Sequence, residues 1–221
     1  MTDKRKILSL ILKCIVAVSA VVGITMSAMA GSNGFMAGHT VFMFFTVQSN
    51  ILVALISLAG ACFLLTKKDP GMKWYVLKYV GTVAITLTGV VFCFVLAPTL
   101  GKLAWNFQNI LTHVVVPLAA IADFFVSAPE NGIDKKYVPL VMVPPLLYAV
   151  YAGIGYILGW QFAPGYNYPY FFLHWGSPAG AFGFSRSLPF MGCVWWIVLL
   201  MLFLYGVGRC YLWALNKTLK K

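Results

Sequence analysis

The chain has 221 residues, of which 61% are hydrophobic and only 10% charged. Soluble domains sit near half apolar and a quarter charged, so this composition excludes an ordinary soluble domain and indicates an integral membrane protein. The net charge of +11 does not indicate nucleic acid. The basic residues form short clusters between apolar runs, where membrane topology and anionic lipid head groups on the cytoplasmic side account for them.

The first element, "MTDKRK" and the apolar run that ends in "SAMA", imitates a secretory signal peptide. Lys13 interrupts the run, and its length suits a retained spanning helix. A span needs about 20 mainly apolar residues. Six stretches qualify, at about 7–29, 40–66, 76–97, 107–127, 138–159 and 190–213. No repeat or soluble domain is left over. The expected fold class is all-α: a polytopic six-transmembrane-helix bundle forming one domain over 1–221.

All Lys and Arg residues except Lys102 and Arg186 fall on one side of this layout. The positive-inside rule then places both termini in the cytoplasm, in a multi-pass protein of the cell membrane. The other side holds the loops 30–39 and 98–106 and the long segment 160–189, which is rich in Trp, Tyr and Phe. Such a segment suits an aromatic belt in the interface, or a lid over a lipid mouth. Cys14, Cys62, Cys93, Cys193 and Cys210 all lie in apolar runs without a C-x-x-C pair, so they read as small buried hydrophobes.

Polar residues inside a span are costly and face the bundle interior. The second span carries "FFTVQSN", with Thr46, Gln48, Ser49, Asn50 and, further on, Ser57. The fourth carries Asn106, Asn109, Thr112, His113 and Asp123. Thr46 shares a helix face with Ser49 and Asn50, and Asn106, Asn109 and His113 share another, by their spacings of three and four. Both helices run inward from the outer side. Thr46 then lies roughly 10 Å deep at 1.5 Å per residue, and His113 at a similar level. Pro117 frees a carbonyl near residue 113 and bends the fourth span beside the histidine.

Two readings of the cluster stand. Thr, Ser and Asn commonly hydrogen-bond between helices as packing contacts. Alternatively, Thr46 is a nucleophile and His113 its base, with Asn50, Asn109 or Gln48 steadying an oxyanion or orienting the imidazole. Ser49, Asn106, Pro117, Tyr168 and His174 are candidate substrate-lining residues. Asp123 follows His113 by roughly 15 Å of helix, too far to orient it, and is expected to pair with Lys13 or Lys78. Thr82, Thr86 and Thr88 are expected to bond back to the carbonyl four residues earlier. His39 and His174 fall on loops, so neither a metal nor another cofactor is expected. Pro139, Pro144 and Pro145 on the fifth span admit a broken helix of the transporter kind, without an internal repeat to support it. The rival functions are thus a transporter with a path to both faces, or a lipid-binding receptor.

"FFTVQSN" and "LTHVVVP" together resemble a bacterial family of six-span membrane proteins. That family is similar to the eukaryotic androgen-induced membrane hydrolases. "YNYPYFFLH", residues 166–174, resembles a tyrosine–proline element of the same bacterial family. The resemblance implies an atypical threonine hydrolase (a FAHFA hydrolase) that cleaves fatty acid esters of hydroxy fatty acids. Thr46 and His113 fall at its catalytic positions, with Asn109 and Pro117 in register. The implied substrate is a membrane lipid that slides from the outer leaflet between the second and fourth spans.

Overall fold

The computed structural model describes residues 1–30 and 38–218. Six helices among them are long and apolar enough to cross a membrane: α1 (Asp3–Met29), α2 (Phe45–Thr66), α3 (Gly71–Ala104), α4 (Phe107–Val126), α5 (Lys135–Ile157) and α6 (Cys193–Thr218). All six spans of the sequence reading are present. Most of the expected loop 30–39 lies outside the described residues, as do Lys220 and Lys221. One end of the bundle, the basic end, carries the start of α1 and the 67–70 and 127–134 turns. The other, the aromatic end, carries the segment 158–192.

The ends of the helices follow local chemistry. α2 stops where Lys67 turns left-handed at φ 54°, with the Lys68 N–H bonded to the Phe63 carbonyl at 3.2 Å. Asn106 caps α4 by accepting the Asn109 N–H at 2.9 Å, and Asp134 caps α5 by accepting the Lys136 N–H at 2.8 Å. α5 opens as a 3₁₀ segment, Lys135–Met142, that contains Pro139. Pro144 and Pro145 then fall in the first turn of its α-helical part, where missing N–H groups cost little. The three prolines thus shape the start of the span and do not break it midway.

The start of α2 departs from expectation. A short 3₁₀ turn, Gly38–Met43, is separated from the helix by Phe44, which is extended at φ −91° and ψ 141°. Phe44 is fully buried, with its ring edge-on to Phe162 and Tyr170 at 6.3 and 5.9 Å. Thr46 therefore occupies the first turn of α2 and not its second or third.

α3 is the axis of the molecule, with 67% of its apolar window buried against 17% for α6. α1, α2, α3 and α4 pack side by side over small residues, including Ala20, Ala54, Ala119 and Ala120. Glycines allow the closest approaches. A Cβ on Gly89 would lie 2.9 Å from the His113 carbonyl oxygen and 3.3 Å from the Pro117 ring. α5 and α6 join this group through the 3₁₀ segment, which packs on α3 and α6. Towards the aromatic end α5 packs against Phe171–Leu173 of the 158–192 cap.

At the basic end Asp123 pairs with both candidate lysines. Lys13 Nζ lies 2.6 and 2.8 Å from its two oxygens, and Lys78 Nζ lies 2.6 Å from Oδ2. Ser9 donates to the same carboxylate at 2.6 Å. Gly60 makes room for the Lys13 stem, 2.7 Å from where a Cβ would stand. Thr82 and Thr86 bond back to the carbonyl four residues earlier at 2.8 and 2.7 Å, as expected.

Removing one partner of a buried ion pair leaves an uncompensated charge. Asp123→Ala strands two ammoniums and is expected to destabilise the protein by about 3–5 kcal/mol in detergent unfolding. Gly89→Ala is expected to cost about 1–3 kcal/mol by overpacking α3 against α4. A wild-type melting temperature for Gly89→Ala would show that the two helices are free to separate there.

Candidate active site

Thr46 and His113 meet. Thr46 Oγ1 lies 3.3 Å from His113 Nε2, and both residues are buried, at 6% exposure each. His113 sits in a π-helical stretch of α4, Leu111–Val115, just before Pro117. Pro117 has no N–H and crowds the carbonyl four residues back, so the chain widens into a π turn there. A second π-helical stretch, Phe92–Leu96 in α3, begins with Phe92, whose ring stacks on the imidazole at 3.8 Å.

The hydrogen bonds fix the tautomer. His113 Nδ1 lies 3.0 Å from the Asn109 carbonyl oxygen, which can only accept. The neutral imidazole therefore carries its proton on Nδ1. Nε2 is left with a lone pair facing the Thr46 hydroxyl, the arrangement a general base requires.

Tyr170 completes the group, and the sequence reading did not select it. Its hydroxyl lies 3.3 Å from the Thr46 N–H and 3.4 Å from Thr46 Oγ1. Tyr148 stands beside it and donates to the Met43 carbonyl at 3.0 Å. Both bonds satisfy backbone groups that the break at Phe44 takes out of the helix ladder. Burial pushes the Tyr170 phenol up, so it remains a protonated donor at neutral pH.

The remaining candidates divide by place. Asn50 donates to the carbonyls of Thr46 and Thr112 at 2.8 and 3.1 Å, tying α2 to α4 beneath the dyad. Its N–H groups are thus spent on carbonyls and not aimed at a substrate. Ser49 Oγ is 2.7 Å from Thr88 Oγ1 and joins α2 to α3. The Asn109 side chain bonds the Ala104 carbonyl at 2.9 Å, and its contribution to the site is its own carbonyl. Gln48 is exposed and donates to the Phe42 carbonyl at 3.1 Å, on the face of α2 away from His113. Asn106 is an exposed helix cap, and Pro117 is buried against Gly89. Tyr168 and His174 stack on each other at 3.9 Å within the cap and do not line the cavity beside Thr46.

That cavity is narrow and apolar, about 50 Å³, with Thr46 in its wall. Leu87 and Val91 of α3, Ala149 of α5, Phe172 of the cap and Leu200 of α6 form other parts of it. It lies on the α3, α5 and α6 side of Thr46. His113 lies behind the threonine, on the α4 side. The interface of α2 with α4, where the lipid was expected to slide, is filled by Asn50 and its bonds. The cap contributes Tyr170, Phe172 and Leu173 to the cavity wall. Below the dyad, the cluster of Val16, Val53, Ile85 and Val116 separates it from the Lys13–Asp123–Lys78 group. Among the described residues, no three His, Cys, Asp or Glu side chains converge as a metal site.

Comparison with protein-family profiles, curated proteins and solved structures finds no match.

Tyr170→Phe removes the partner of a buried backbone N–H and is expected to destabilise by about 1–3 kcal/mol. Tyr168→Phe should stay within about 0.5 kcal/mol of wild type, as a surface change does. Equal thermal shifts for the two would remove the structural role assigned to Tyr170.

Proposed function

We propose that this protein is an intramembrane lipid ester hydrolase with a Thr46–His113 dyad. The observation that carries the reading is the approach of Thr46 Oγ1 to a bare imidazole nitrogen at 3.3 Å, at the wall of an apolar cavity. The resemblance of "FFTVQSN" and "LTHVVVP" to the bacterial relatives of the membrane threonine hydrolases supports it. Fatty acid esters of hydroxy fatty acids, or similar lipids, are the substrates that resemblance suggests. The charge bias supports both termini in the cytoplasm of a cell-membrane protein, with the dyad in the outer half of the bilayer.

The geometry supports the following reaction. The acyl chain enters the slot beside Thr46. His113 Nε2 takes the hydroxyl proton, and Thr46 Oγ1 attacks the ester carbonyl carbon. The carbonyl oxygen becomes an oxyanion. The Tyr170 hydroxyl and the Thr46 N–H, at the positive end of α2, are the donors nearest to hand. They replace Asn50, Asn109 and Gln48 in that role. As the tetrahedral intermediate collapses, the alkoxide leaves with the proton from His113. Water then gives its proton to His113 and attacks the acyl-threonine, and the fatty acid is released as Thr46 Oγ1 leaves with that proton from His113. Asp123 takes no part, being locked between two lysines beyond an apolar layer. That layer also weighs against a transport path through the dyad.

The test is hydrolysis of a branched fatty acid ester by purified protein in detergent. Thr46→Ala and His113→Ala are expected to abolish turnover while remaining folded. Tyr170→Phe is expected to lower kcat by roughly 10²-fold, the usual effect of one lost oxyanion donor. Turnover that persists in Thr46→Ala would end the proposal. A wild type inactive on lipid esters of every chain length would move the receptor reading to first place.

A further inference from the structure

A second cavity lies at the basic end, far from the dyad. It is large, about 730 Å³, and sits between the start of α1, the α2–α3 turn and the end of α4. Lys13 and Lys78 form its floor, and Lys6, Lys67 and Lys68 stand around it. Two carboxylates, Asp69 and Glu130, also line it but are outnumbered by the basic groups. Asp69 accepts the Gly71 N–H at 3.1 Å, and Glu130 faces the N-terminal amine at 3.6 Å. Lys6 pairs with Asp3 at 3.5 Å. Among the described residues no carboxylate stands within ion-pairing distance of Lys67 or Lys68.

The floor is unbalanced. Lys13 and Lys78, at 4% and 6% exposure, share the single carboxylate of Asp123. One positive charge is thus left buried without a counter-ion, which is costly unless an anion comes near. The two ammoniums spend their N–H groups on Asp123, Ser9 and Ser127, with the Lys78–Ser127 contact especially close. Their effect on the cavity is therefore a field and not a set of free donors. Free donors come from Lys67 and Lys68, placed at the mouth by the turn that ends α2. One wall is apolar, where Phe63 packs edge-on to Trp74 at 5.1 Å. The N-terminus of α3 adds its positive pole beside Gly71.

We propose that this cavity binds a phosphate-bearing anion, held by Lys67 and Lys68 and drawn in by the uncompensated charge of the Lys13–Asp123–Lys78 group. Lysine ammoniums are point charges suited to phosphate, which offers several acceptor oxygens at once. The anion is either the head group of an acidic phospholipid, with its first methylenes on Phe63 and Trp74, or free phosphate.

The test uses the full chain in neutral detergent. Short-chain phosphatidic acid, inorganic phosphate and short-chain phosphatidylcholine are titrated in parallel, and the rise in melting temperature is followed to saturation. Phosphatidic acid is expected to saturate and phosphatidylcholine not to. Saturation by inorganic phosphate with the same midpoint assigns the site to the free anion, and saturation by phosphatidic acid alone assigns it to the lipid. The exposed double variant Lys67→Gln/Lys68→Gln should shift the midpoint by about 30-fold, since each lysine near an anionic group contributes roughly fivefold. Lys13→Met, which neutralises the floor, should abolish saturation. If that variant does not fold, the mouth variant decides alone. Thr46→Ala should bind with the wild-type midpoint, which separates this site from ester chemistry. The proposal fails if neither phosphate probe saturates, or if the mouth variant keeps the wild-type midpoint.

Discussion

A helix that begins among buried side chains must find partners for its first N–H groups and for the carbonyls just before it. α2 begins in this way, because Phe44 is extended and breaks the helix ladder above Thr46. Two tyrosines supply what water would supply in a soluble protein. Tyr148 reaches from α5 to the Met43 carbonyl, and Tyr170 reaches from the cap to the Thr46 N–H. The position of α5, the fold of the cap and the exposure of Thr46 to the cavity are tied together by this one requirement. The same break puts Thr46 at a helix start, with its N–H bonded to the Tyr170 hydroxyl.

The polar chemistry of the bundle is sorted by depth. The dyad sits near the aromatic end, the lysine–aspartate group near the basic end, and Val, Ile and Ala fill the space between. The two groups have opposite characters. The upper one is uncharged and is tied together by the bonds of Thr46, His113, Tyr170 and the Asn50 amide N–H groups. The lower one carries net positive charge under a wide cavity. A single bundle thus separates an uncharged polar group beside an apolar cavity from a cationic group under a wide one.

Much of this was legible in the sequence. The six spans followed from apolar length, and Asp123 pairing with lysine followed from charge at matching depth. That Thr46 and His113 lie at one level followed from counting residues inward along two helices that run the same way, while their contact came only from the fold. Other features were not legible, for identifiable reasons. No Gly or Pro marks the break at Phe44, which is set by tertiary packing on Phe162 and Tyr170. In "YNYPYFF" three tyrosines alternate, and only the folded cap decides that Tyr170 turns towards Thr46 while Tyr168 stacks on His174. Gln48 and Asn106 are polar and near the right level. They lie where their helices meet the surface, and polarity alone does not distinguish an inward face from a cap. Which side of Thr46 held the cavity depended on how α5 and α6 dock, and no residue spacing reports that.

The π turn around His113 has a consequence for how the chain tolerates changes in length. A π turn holds one residue more than the α-helix would, and each residue of an α-helix advances about 100° around its axis. Deleting any single residue of Leu111–Val115 would let α4 close into a regular helix. Because the π turn spends its extra residue on nearly the same rotation, the parts above and below the deletion would keep their relative setting and only the widened turn would be lost. Pro117 would still pack on Gly89, but a deletion at Leu111 or Thr112 would shorten the four-residue step by which the Asn109 carbonyl meets the His113 imidazole. The dyad therefore rests on a count of residues as much as on their identity.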